Sequence, residues 1–429
     1  MGQNKEKINI ITLGCSKNVV DSEVLMSQLR HNKFDLTSEA DDADVAVINT
    51  CGFIEAAKQE SIDTILQAVE MKKEGKLKKV IVMGCLSERY ASDLRKEIPD
   101  VDEYIGANKM DQVVQTLGGD YKYELLGERL LTTPQHYAYL KISEGCDRPC
   151  SFCSIPLMRG NHVSKPMERI VLEAQRLAAL GVKELIVIAQ DSTYYGLDLY
   201  NKRVLAEVLR QLEKVDGIEW IRLMYAFPTG FPINVLEQFN ENPKLCRYID
   251  MPVQHVADPV LASMRRGITS KKLRELISNI RTKVPGIALR TTLIVGYPNE
   301  GEKEFEELLE FVKEVKFDRL GVFMYSLEDG TTAYSLGDPI PQPVKEERHK
   351  LIMEVQREIS RQKNEHLIGK KLRVLIDSKE SNIVFGRTEF DAPEVDNEVT
   401  IQSVANVAVG HFYDVTVVDA DEYDLFATL

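Results

Sequence analysis

The chain has 429 residues, of which 44% are apolar and 28% are charged, and its net charge is −13. This composition is typical of a folded globular protein with about two to four domains. It excludes a membrane-spanning helix, because no run approaches about 18 apolar residues, and it disfavours non-specific binding to nucleic acid, which depends on lysine and arginine. The start, MGQNKEKINIITLG, lacks a signal-peptide cleavage site, so we expect a cytoplasmic protein.

The first section of the chain predicts a parallel sheet. Three short β-branched runs, INIITLG (8–14), VAVINT (45–50) and KVIVMG (79–84), alternate with helix-rich segments such as 21–32 and 56–76. Strands separated by helices form parallel sheets that are covered on both faces. We therefore expect an α/β domain of the flavodoxin or Rossmann type at the amino end.

A cysteine follows each of these three strands at the same place. Cys15, Cys51 and Cys85 each come directly after the last residue of a predicted strand. Because parallel strands end at one edge of the sheet, where such folds bind ligands, we expect the three thiols to gather there. The pattern favours a three-thiolate metal site over three separately buried thiols. Disulfides are disfavoured, since the seven cysteines are odd in number and sparse.

A second alternation of strands and helices begins near residue 137. Helical segments such as 167–181 and 304–316 separate its strands. Six βα units favour an incomplete TIM-type barrel over a closed eightfold one, and barrel enzymes place their active sites where the strands end. The six predicted strands span residues 137–143, 184–190, 219–226, 248–254, 287–296 and 319–326.

The last section predicts a small β-barrel. A long polar helix over 343–370 leads into short alternating strands, which suggest a barrel of the oligonucleotide-binding shape. Residues 366–429 contain five basic and twelve acidic residues and carry a net charge of −7, so a polyanion is an unsuitable guest. The four predicted strands span residues 371–378, 383–390, 398–404 and 412–421.

The segment CDRPCSFC, residues 146–153, places Cys146, Cys150 and Cys153 in the loop after the first barrel strand. Zinc would require four ligands, usually as paired C-x-x-C motifs, and no second pair lies near this loop. Three thiolates suit a four-iron cluster that leaves one iron without a protein ligand. S-adenosylmethionine (SAM) could fill that iron with its amine and carboxylate, and an electron from the cluster could then release a 5′-deoxyadenosyl radical.

This segment resembles the C-x-x-x-C-x-x-C signature of radical SAM enzymes, with Phe152 as the aromatic residue before the last cysteine. The motifs TLGCSKNVVDSE, INTCGFIEAA and GCLSERY resemble those of one branch, the methylthiotransferases, and the resemblance covers nearly the full length. It implies an amino-terminal cluster domain at 1–130, a radical SAM domain at 131–365 and a TRAM domain at 366–429.

Within this family, GCSKN (14–18) and the acidic tail with APEVDN (392–397) resemble the enzymes that place a methylthio group on the β-carbon of an aspartate in ribosomal protein S-twelve. The tRNA-modifying relatives instead have a motif similar to GCQMN around the first cysteine, and they carry a basic tail. One departure is Ser164-Lys165, where the family tends to have Ser-Arg. An ammonium cannot reproduce the bidentate contact of a guanidinium, so Lys165 would not make the same contact with cofactor or substrate.

The resemblance implies a role for each group of cysteines. Cys146, Cys150 and Cys153 would ligate the radical cluster. The three amino-terminal cysteines would ligate a second cluster, whose open iron holds the sulfur that is inserted. One SAM would methylate that sulfur, and another would supply the radical that removes hydrogen from the target carbon. The expected cofactor-binding residues are Phe152, Arg159, Gln190, Asp191 and Gly296.

His255 receives no catalytic role, because hydrogen abstraction requires no general base, and Cys246 has no other cysteine near it in the sequence. We interpret His255 and Cys246 as core residues.

The expected partners are ribosomal protein S-twelve, docked on the acidic TRAM domain around Asp396, and a low-potential electron donor such as flavodoxin or ferredoxin. Two other readings stay open: a tRNA adenosine methylthiotransferase, and an iron–sulfur scaffold or electron carrier that performs no chemistry.

Overall fold

The computed structural model describes residues 6–125, 127–402 and 406–429, which form three sheet-based units in chain order. The first is an entirely parallel sheet in the order β2-β1-β3-β4-β5, with apolar cores on both faces, as its β-branched strands predict. Its elements are β1 (Lys7–Thr12), α1 (Ser16–His31), β2 (Asp35–Thr37), β3 (Val45–Thr50), α2 (Glu55–Lys73), β4 (Lys79–Gly84), α3 (Cys85–Glu97), β5 (Glu103–Tyr104) and α4 (Met110–Thr116).

The second unit is the predicted incomplete barrel. Six parallel strands follow one another in the order β6-β9-β10-β11-β12-β13, and β7 pairs with β8 beside them. Its elements are β6 (Tyr137–Lys141), β7 (Ser143–Glu144), α5 (Ile155–Arg159), β8 (Val163–Ser164), α6 (Met167–Ala179), β9 (Glu184–Ile188), α7 (Leu197–Tyr200), α8 (Leu205–Glu213), β10 (Trp220–Leu223), α9 (Val235–Glu241), β11 (Leu245–Asp250), α10 (Asp258–Ser263), α11 (Ser270–Lys283), β12 (Ala288–Val295), α12 (Glu302–Val315), β13 (Arg319–Met324) and α13 (Gln342–Glu365).

The fourth barrel strand does not lie where the sequence predicts it. The predicted range was 248–254, whereas β11 spans Leu245–Asp250. Pro252 explains the earlier end, because proline has no N–H to donate to the sheet. The shift brings Cys246 into the strand, where it is 1% exposed, and so confirms that this cysteine belongs to the core.

The third unit is a closed barrel in the order β14-β15-β16-β18-β17. Its strands pair antiparallel, except that β16 and β18 are parallel. A fifth strand that the sequence analysis did not predict, β18, closes it by pairing with β16 and β17. The last two residues of the predicted strand 398–404 lie outside the described residues. The strands are β14 (Lys371–Glu380), β15 (Ile383–Arg387), β16 (Val399–Gln402), β17 (Phe412–Ala420) and β18 (Leu425–Thr428).

The first unit rests on the barrel mouth, by which we mean the carboxyl ends of the six barrel strands and the loops that follow them. Asp21 on α1 forms ion pairs with Lys141 at the end of β6 and, at 2.6 Å, with Arg159. Arg89 on α3 pairs with Glu328, beyond the end of β13, at 2.9 Å. The edge of the first sheet that carries the cysteines therefore faces the barrel mouth.

The third unit covers the opposite end of the central barrel, where the strands begin. Glu184, the first residue of β9, is fully buried and pairs with Arg222 of β10 at 2.7 Å and with Arg387 of β15 at 2.9 Å. Trp220, the first residue of β10, packs edge-on against Phe412 of β17 with their ring centroids 4.8 Å apart. The two units thus share a buried ionic and aromatic interface.

The structure corrects the expectation that Asp396 belongs to an exposed docking surface. Its side chain is 1% exposed, and its carboxylate accepts hydrogen bonds from the Tyr248 hydroxyl at 2.6 Å and from Arg290 Nε at 3.2 Å. Neighbouring Glu394 accepts a hydrogen bond from the Tyr137 hydroxyl at 3.2 Å. The Asp396 carboxylate turns inward because the central barrel holds hydroxyl and guanidinium donors that need buried partners.

Replacing Glu184 by alanine is expected to lower the free energy of unfolding by about 3–5 kcal/mol, because Arg222 and Arg387 would stay buried without their carboxylate. Thermal unfolding followed by circular dichroism measures the loss. Lys313→Ala, which removes an exposed ion pair with Glu310, is the control and should leave the unfolding temperature unchanged. Equal unfolding temperatures for the two variants would contradict this prediction.

Among the described residues, no helix is both long enough and apolar enough to span a bilayer.

Candidate functional site

The three amino-terminal cysteines lie together at the carboxyl edge of the first sheet. Cys15 precedes α1, Cys51 follows β3, and Cys85 is the first residue of α3. The strand order is that of flavodoxin-like sheets, and it places β1 beside β3 at the point where the winding reverses. Cys15 and Cys51 therefore flank the crevice in which such sheets bind ligands, and Cys85 follows the next strand.

Gly14 permits the close approach of the chain around the first two cysteines. Its φ is +88°, and a Cβ atom at this position would lie 2.9 Å from Cys51 Sγ, so both conformation and space favour glycine. Burial raises the pKa of Cys85 to about 11 and raises that of Cys51, and in both cases the Cys15 thiolate adds to the increase. The three thiols are thus close enough to influence one another electrostatically.

The second group of cysteines forms a compact loop after β6. The Cys146 N–H donates to the Gly160 carbonyl at 3.1 Å, and the Cys153 N–H donates to the Cys150 carbonyl at 3.2 Å. Burial raises the pKa of Cys146 to about 11 and that of Cys153 to about 12. Burial therefore favours the neutral thiol at Cys146 and Cys153, and coordination to a metal would deprotonate both.

Two arginines, one within this loop and one outside it, stack on a shared aromatic ring. Arg266 donates from Nη1 to Cys150 Sγ at 3.2 Å, and its guanidinium carbon lies 4.0 Å from the Phe227 ring centroid. Arg148, within the loop, lies 4.1 Å from the same centroid and pairs with Asp191 at 2.6 Å. Guanidinium groups in this position stabilise thiolates and the negative charge of a cluster.

Arg159 joins the helix that follows the second cysteine group to a cysteine of the first group. It is the last residue of α5 and is 5% exposed. Its Nε donates to Cys85 Sγ at 3.2 Å, while Nη1 donates to Asp21 at 2.6 Å and to Glu144 at 3.3 Å. The side chain therefore lies against the first cysteine group, although α5 follows directly from the second, and it neutralises two carboxylates there. The two cysteine groups share one interface.

Gln190 and Asp191 lie where β9 ends at the barrel mouth. Gln190 donates from Nε2 to Glu144 at 2.5 Å, and its amide oxygen is buried with no hydrogen-bond partner among the described residues. The amide oxygen of Gln254, beyond the end of β11, is in the same condition. Buried oxygens without partners are unfavourable unless a ligand or water supplies a donor, so they mark a polar binding region.

Gly296 and Phe152 lie on the other side of the mouth. Gly296 has φ of +75°, and a Cβ atom there would lie 2.4 Å from Lys345 Cγ. The close approach that the sequence suggested therefore exists, but the group that approaches is the stem of Lys345 on α13. Phe152 is partly buried and packs against a hydrophobic cluster that includes Tyr297 and Tyr325.

Lys165 and His255 both bind other side chains of the protein. Lys165 pairs with Glu173 of α6 at 2.6 Å. His255 is fully buried, with Nε2 at 3.1 Å from the Glu300 carboxylate, while Nδ1 accepts a hydrogen bond from the Ala257 N–H at 3.1 Å. His255 is therefore a buried histidine with both ring nitrogens engaged, as the sequence predicts.

The sequence did not predict the ionic network around Arg159 or the contact of Arg266 with Cys150. A signal existed for one part of it: Asn18, Asp21 and Ser22 are buried polar residues at helical spacing on α1, which marks a polar face packed against another unit. Arg266 carried no such signal, since it lies far from Cys150 in the sequence and reaches it only through the fold.

The donor chemistry of the two cysteine groups fits iron–sulfur clusters. Each group offers three thiols, and a guanidinium donates to one sulfur in each, at Cys85 and Cys150. In the part of the chain that the structure describes, no three His, Cys, Asp or Glu side chains converge as ligands of a single ion. A four-iron cluster does not require such convergence, because each thiolate binds a different iron.

Three family models match the chain: the uncharacterized protein family UPF0004 over residues 7–106, the radical SAM superfamily over 140–312 and the TRAM domain over 368–429. The chain is 57% identical to the ribosomal protein uS12 methylthiotransferase RimO of Christiangramia forsetii, over 98% of this chain and 94% of that protein. It is 58% identical to the protein of the same name in Flavobacterium johnsoniae, over 98% of each.

Among solved structures, the fold is similar to that of the radical S-adenosylmethionine methyltransferase TsrM from Kitasatospora setae, which was solved with cobalamin and a 4Fe-4S cluster bound. The TM-score is 0.55 over 75% of each chain, at 12% sequence identity. At this identity, the similarity concerns the arrangement of strands and helices.

Proposed function

The chain belongs to the uS12 methylthiotransferase family of radical SAM enzymes, and on that premise we propose how its own residues share the reaction. The enzyme inserts a methylthio group at the β-carbon of an aspartate in ribosomal protein uS12, using an iron–sulfur cluster and SAM. The observation that carries the assignment of residues is the contact of Arg159, which ends the helix after Cys153, with Cys85 of the first cysteine group.

Cys146, Cys150 and Cys153 would hold the radical cluster at the barrel mouth. When bound, this cluster and SAM supply the radical that removes hydrogen from the target carbon. The SAM-binding residues would include Gln190, Asp191 and Phe152. The buried amide oxygen of Gln190 supports its place in this set, because an amine donor of SAM would satisfy it. Arg159, whose guanidinium contacts Cys85, would instead face the amino-terminal cluster, and the stem of Lys345 occupies the space at Gly296.

Cys15, Cys51 and Cys85 would hold a second cluster, whose open iron binds the sulfur to be inserted. A second molecule of SAM would provide the methyl group. The flavodoxin-like strand order supports this site, since it places the thiols at the edge where such sheets bind ligands. We assign residues 1–130 to the cluster domain, 131–365 to the radical SAM domain and 366–429 to the TRAM domain.

The TRAM domain would help to recruit uS12, a basic protein. Asp396 faces inward, but Glu380, Asp414 and Asp419 are exposed on the small barrel. Complementary charge steers encounters between proteins and accelerates association. A low-potential donor such as flavodoxin or ferredoxin would supply electrons, and the ribosomal substrate implies work in the cytoplasm.

The substrate assignment is tested by offering two substrates side by side. The full-length enzyme, with its clusters reconstituted, is incubated anaerobically with SAM, dithionite and either a uS12 loop peptide or unmodified tRNA. Mass spectrometry should detect a methylthio group on the peptide aspartate only. Modification of the tRNA with an untouched peptide would overturn the assignment, and absence of 5′-deoxyadenosine would instead favour an iron–sulfur scaffold.

Arg159→Lys is expected to reduce methylthiolation by about tenfold or more, because lysine cannot contact Cys85, Asp21 and Glu144 together. It should also change the electron paramagnetic resonance spectrum of the amino-terminal cluster, since hydrogen bonds to ligating sulfurs tune clusters. Arg169→Lys, an exposed arginine on α6, is the control. An unchanged spectrum in Arg159→Lys would exclude this contact with the cluster.

A further inference from the structure

Lys17 brings a positive charge from the first sheet into the barrel mouth. It is the second residue of α1, only two positions after Cys15, and it is 7% exposed. Its ammonium nitrogen lies 3.1 Å from the centroid of the Tyr225 ring, just beyond the end of β10. The charge is therefore held between the cysteine edge of the first sheet and the mouth of the barrel.

No carboxylate among the described residues pairs with Lys17. The nearby acidic side chains at the mouth are each bound by other cations: Asp21 by Lys141 and Arg159, Glu144 by the same two residues, Asp191 by Arg148, and Asp250 by Arg290. An ammonium held in such a crevice has given up part of its hydration, and an anionic partner would compensate for that loss. The position of Lys17 therefore calls for an anionic ligand.

Tyr225 holds the lysine without neutralising it. A cation–π contact attracts an ammonium through the ring quadrupole and leaves its full charge in place. Tyr225 has a φ of +61°, which is uncommon for a bulky residue. Two hydrogen bonds keep it there: its N–H donates to Asp250 at 3.1 Å, and its carbonyl accepts from the Ser192 N–H at 3.0 Å. Such strain at a binding site is consistent with a functional constraint.

We propose that Lys17 binds the side-chain carboxylate of the target aspartate and is a specificity-determining residue of this enzyme. The inference rests on the proposed function. The carbon that receives sulfur is bonded directly to that carboxyl group, so the carboxylate must lie close to the sulfur donor. Lys17 meets this requirement, because it lies two residues from Cys15. A fixed ammonium there would orient the β-carbon between the two cysteine groups.

The test compares two enzymes with two peptides. Fluorescent uS12 loop peptides with aspartate or asparagine at the target position are titrated with the full-length enzyme, whose clusters have been reconstituted, and anisotropy gives the dissociation constants. The wild-type enzyme should prefer the aspartate peptide by about tenfold or more. Lys17→Met should lose this preference by weakening only the aspartate peptide. Lys17→Arg should keep most of it, and Lys303→Met, an exposed lysine on α12, should match wild type.

Two results would overturn the inference. Equal weakening of both peptides by Lys17→Met would show a structural role, because loss of packing does not distinguish a carboxylate from an amide. Unchanged discrimination, together with an altered electron paramagnetic resonance spectrum, would assign the lysine to the cluster instead. Failure of the wild-type enzyme to modify the aspartate peptide would contradict the proposed function itself, so the two failures are distinguishable.

Discussion

Replacing Cys146, Cys150 and Cys153 together by alanine is expected to abolish both 5′-deoxyadenosine formation and methylthiolation, with rates at least about 1,000-fold below wild type. The reason is that these thiols would be the only protein ligands of the radical cluster, and without it SAM is not cleaved. The iron content of the reconstituted protein should fall by about four atoms per chain. Liquid chromatography with mass spectrometry measures both products.

The control for this variant is Cys246→Ala, which removes a buried cysteine of β11 that lies outside both groups. It should keep the iron content and both activities of the wild type. A triple variant that still produced 5′-deoxyadenosine would contradict the assignment of the radical cluster to this loop. Circular dichroism verifies that each variant is folded before the comparison is made.

Replacing Cys15, Cys51 and Cys85 together by alanine is expected to separate the two activities. Methylthiolation should stop, because the sulfur to be inserted would have no iron to bind. Cleavage of SAM to 5′-deoxyadenosine should continue within about twofold of wild type, because the barrel cluster keeps its three thiolates. The iron content should again fall by about four atoms per chain.

The peptide substrate shows whether this separation is real. The triple amino-terminal variant, incubated with the uS12 loop peptide, should yield 5′-deoxyadenosine without any methylthio product. Loss of both activities in a folded variant would mean that the first cysteine group supports the radical step itself. Retention of methylthiolation would mean that these three thiols hold no sulfur donor, and the second cluster would have to be abandoned.

The two strands that precede Cys51 and Cys85 were predictable because they are almost entirely buried. The runs at 45–50 and 79–84 are mostly apolar and rich in valine and isoleucine, and β3 and β4 have those same bounds. In a parallel sheet, burial on both faces makes such runs continuous, and the cysteine that follows each one marks its carboxyl end. Topology then gathered the thiols without any further information.

Shorter and less regular strands were not predictable. The closing strand β18 spans only Leu425–Thr428, and its pairing depends on two distant strands of the same barrel. Asp396 was misjudged for a related reason. An acidic loop is usually solvated, and only the tertiary arrangement shows that Tyr248 and Arg290 draw its carboxylate inward.

The junction between the two cysteine groups also lay beyond sequence reasoning. Arg159 contacts Cys85 and Asp21, which precede it by 74 and 138 residues. Spacing rules describe neighbours on one helix or strand, whereas these contacts depend on how one unit docks on another. The sequence therefore predicted two groups of thiols, and the structure was needed to show that they meet.

The most direct test of the proposed chemistry follows hydrogen from the target aspartate. A uS12 loop peptide with deuterium on the β-carbon is incubated anaerobically with the reconstituted enzyme, SAM and dithionite, and both products are analysed by mass spectrometry. We predict deuterium in the 5′-deoxyadenosine and a methylthio group on the same β-carbon. Formation of 5′-deoxyadenosine without deuterium, together with an unmodified peptide, would contradict the conclusion that this chain methylthiolates uS12.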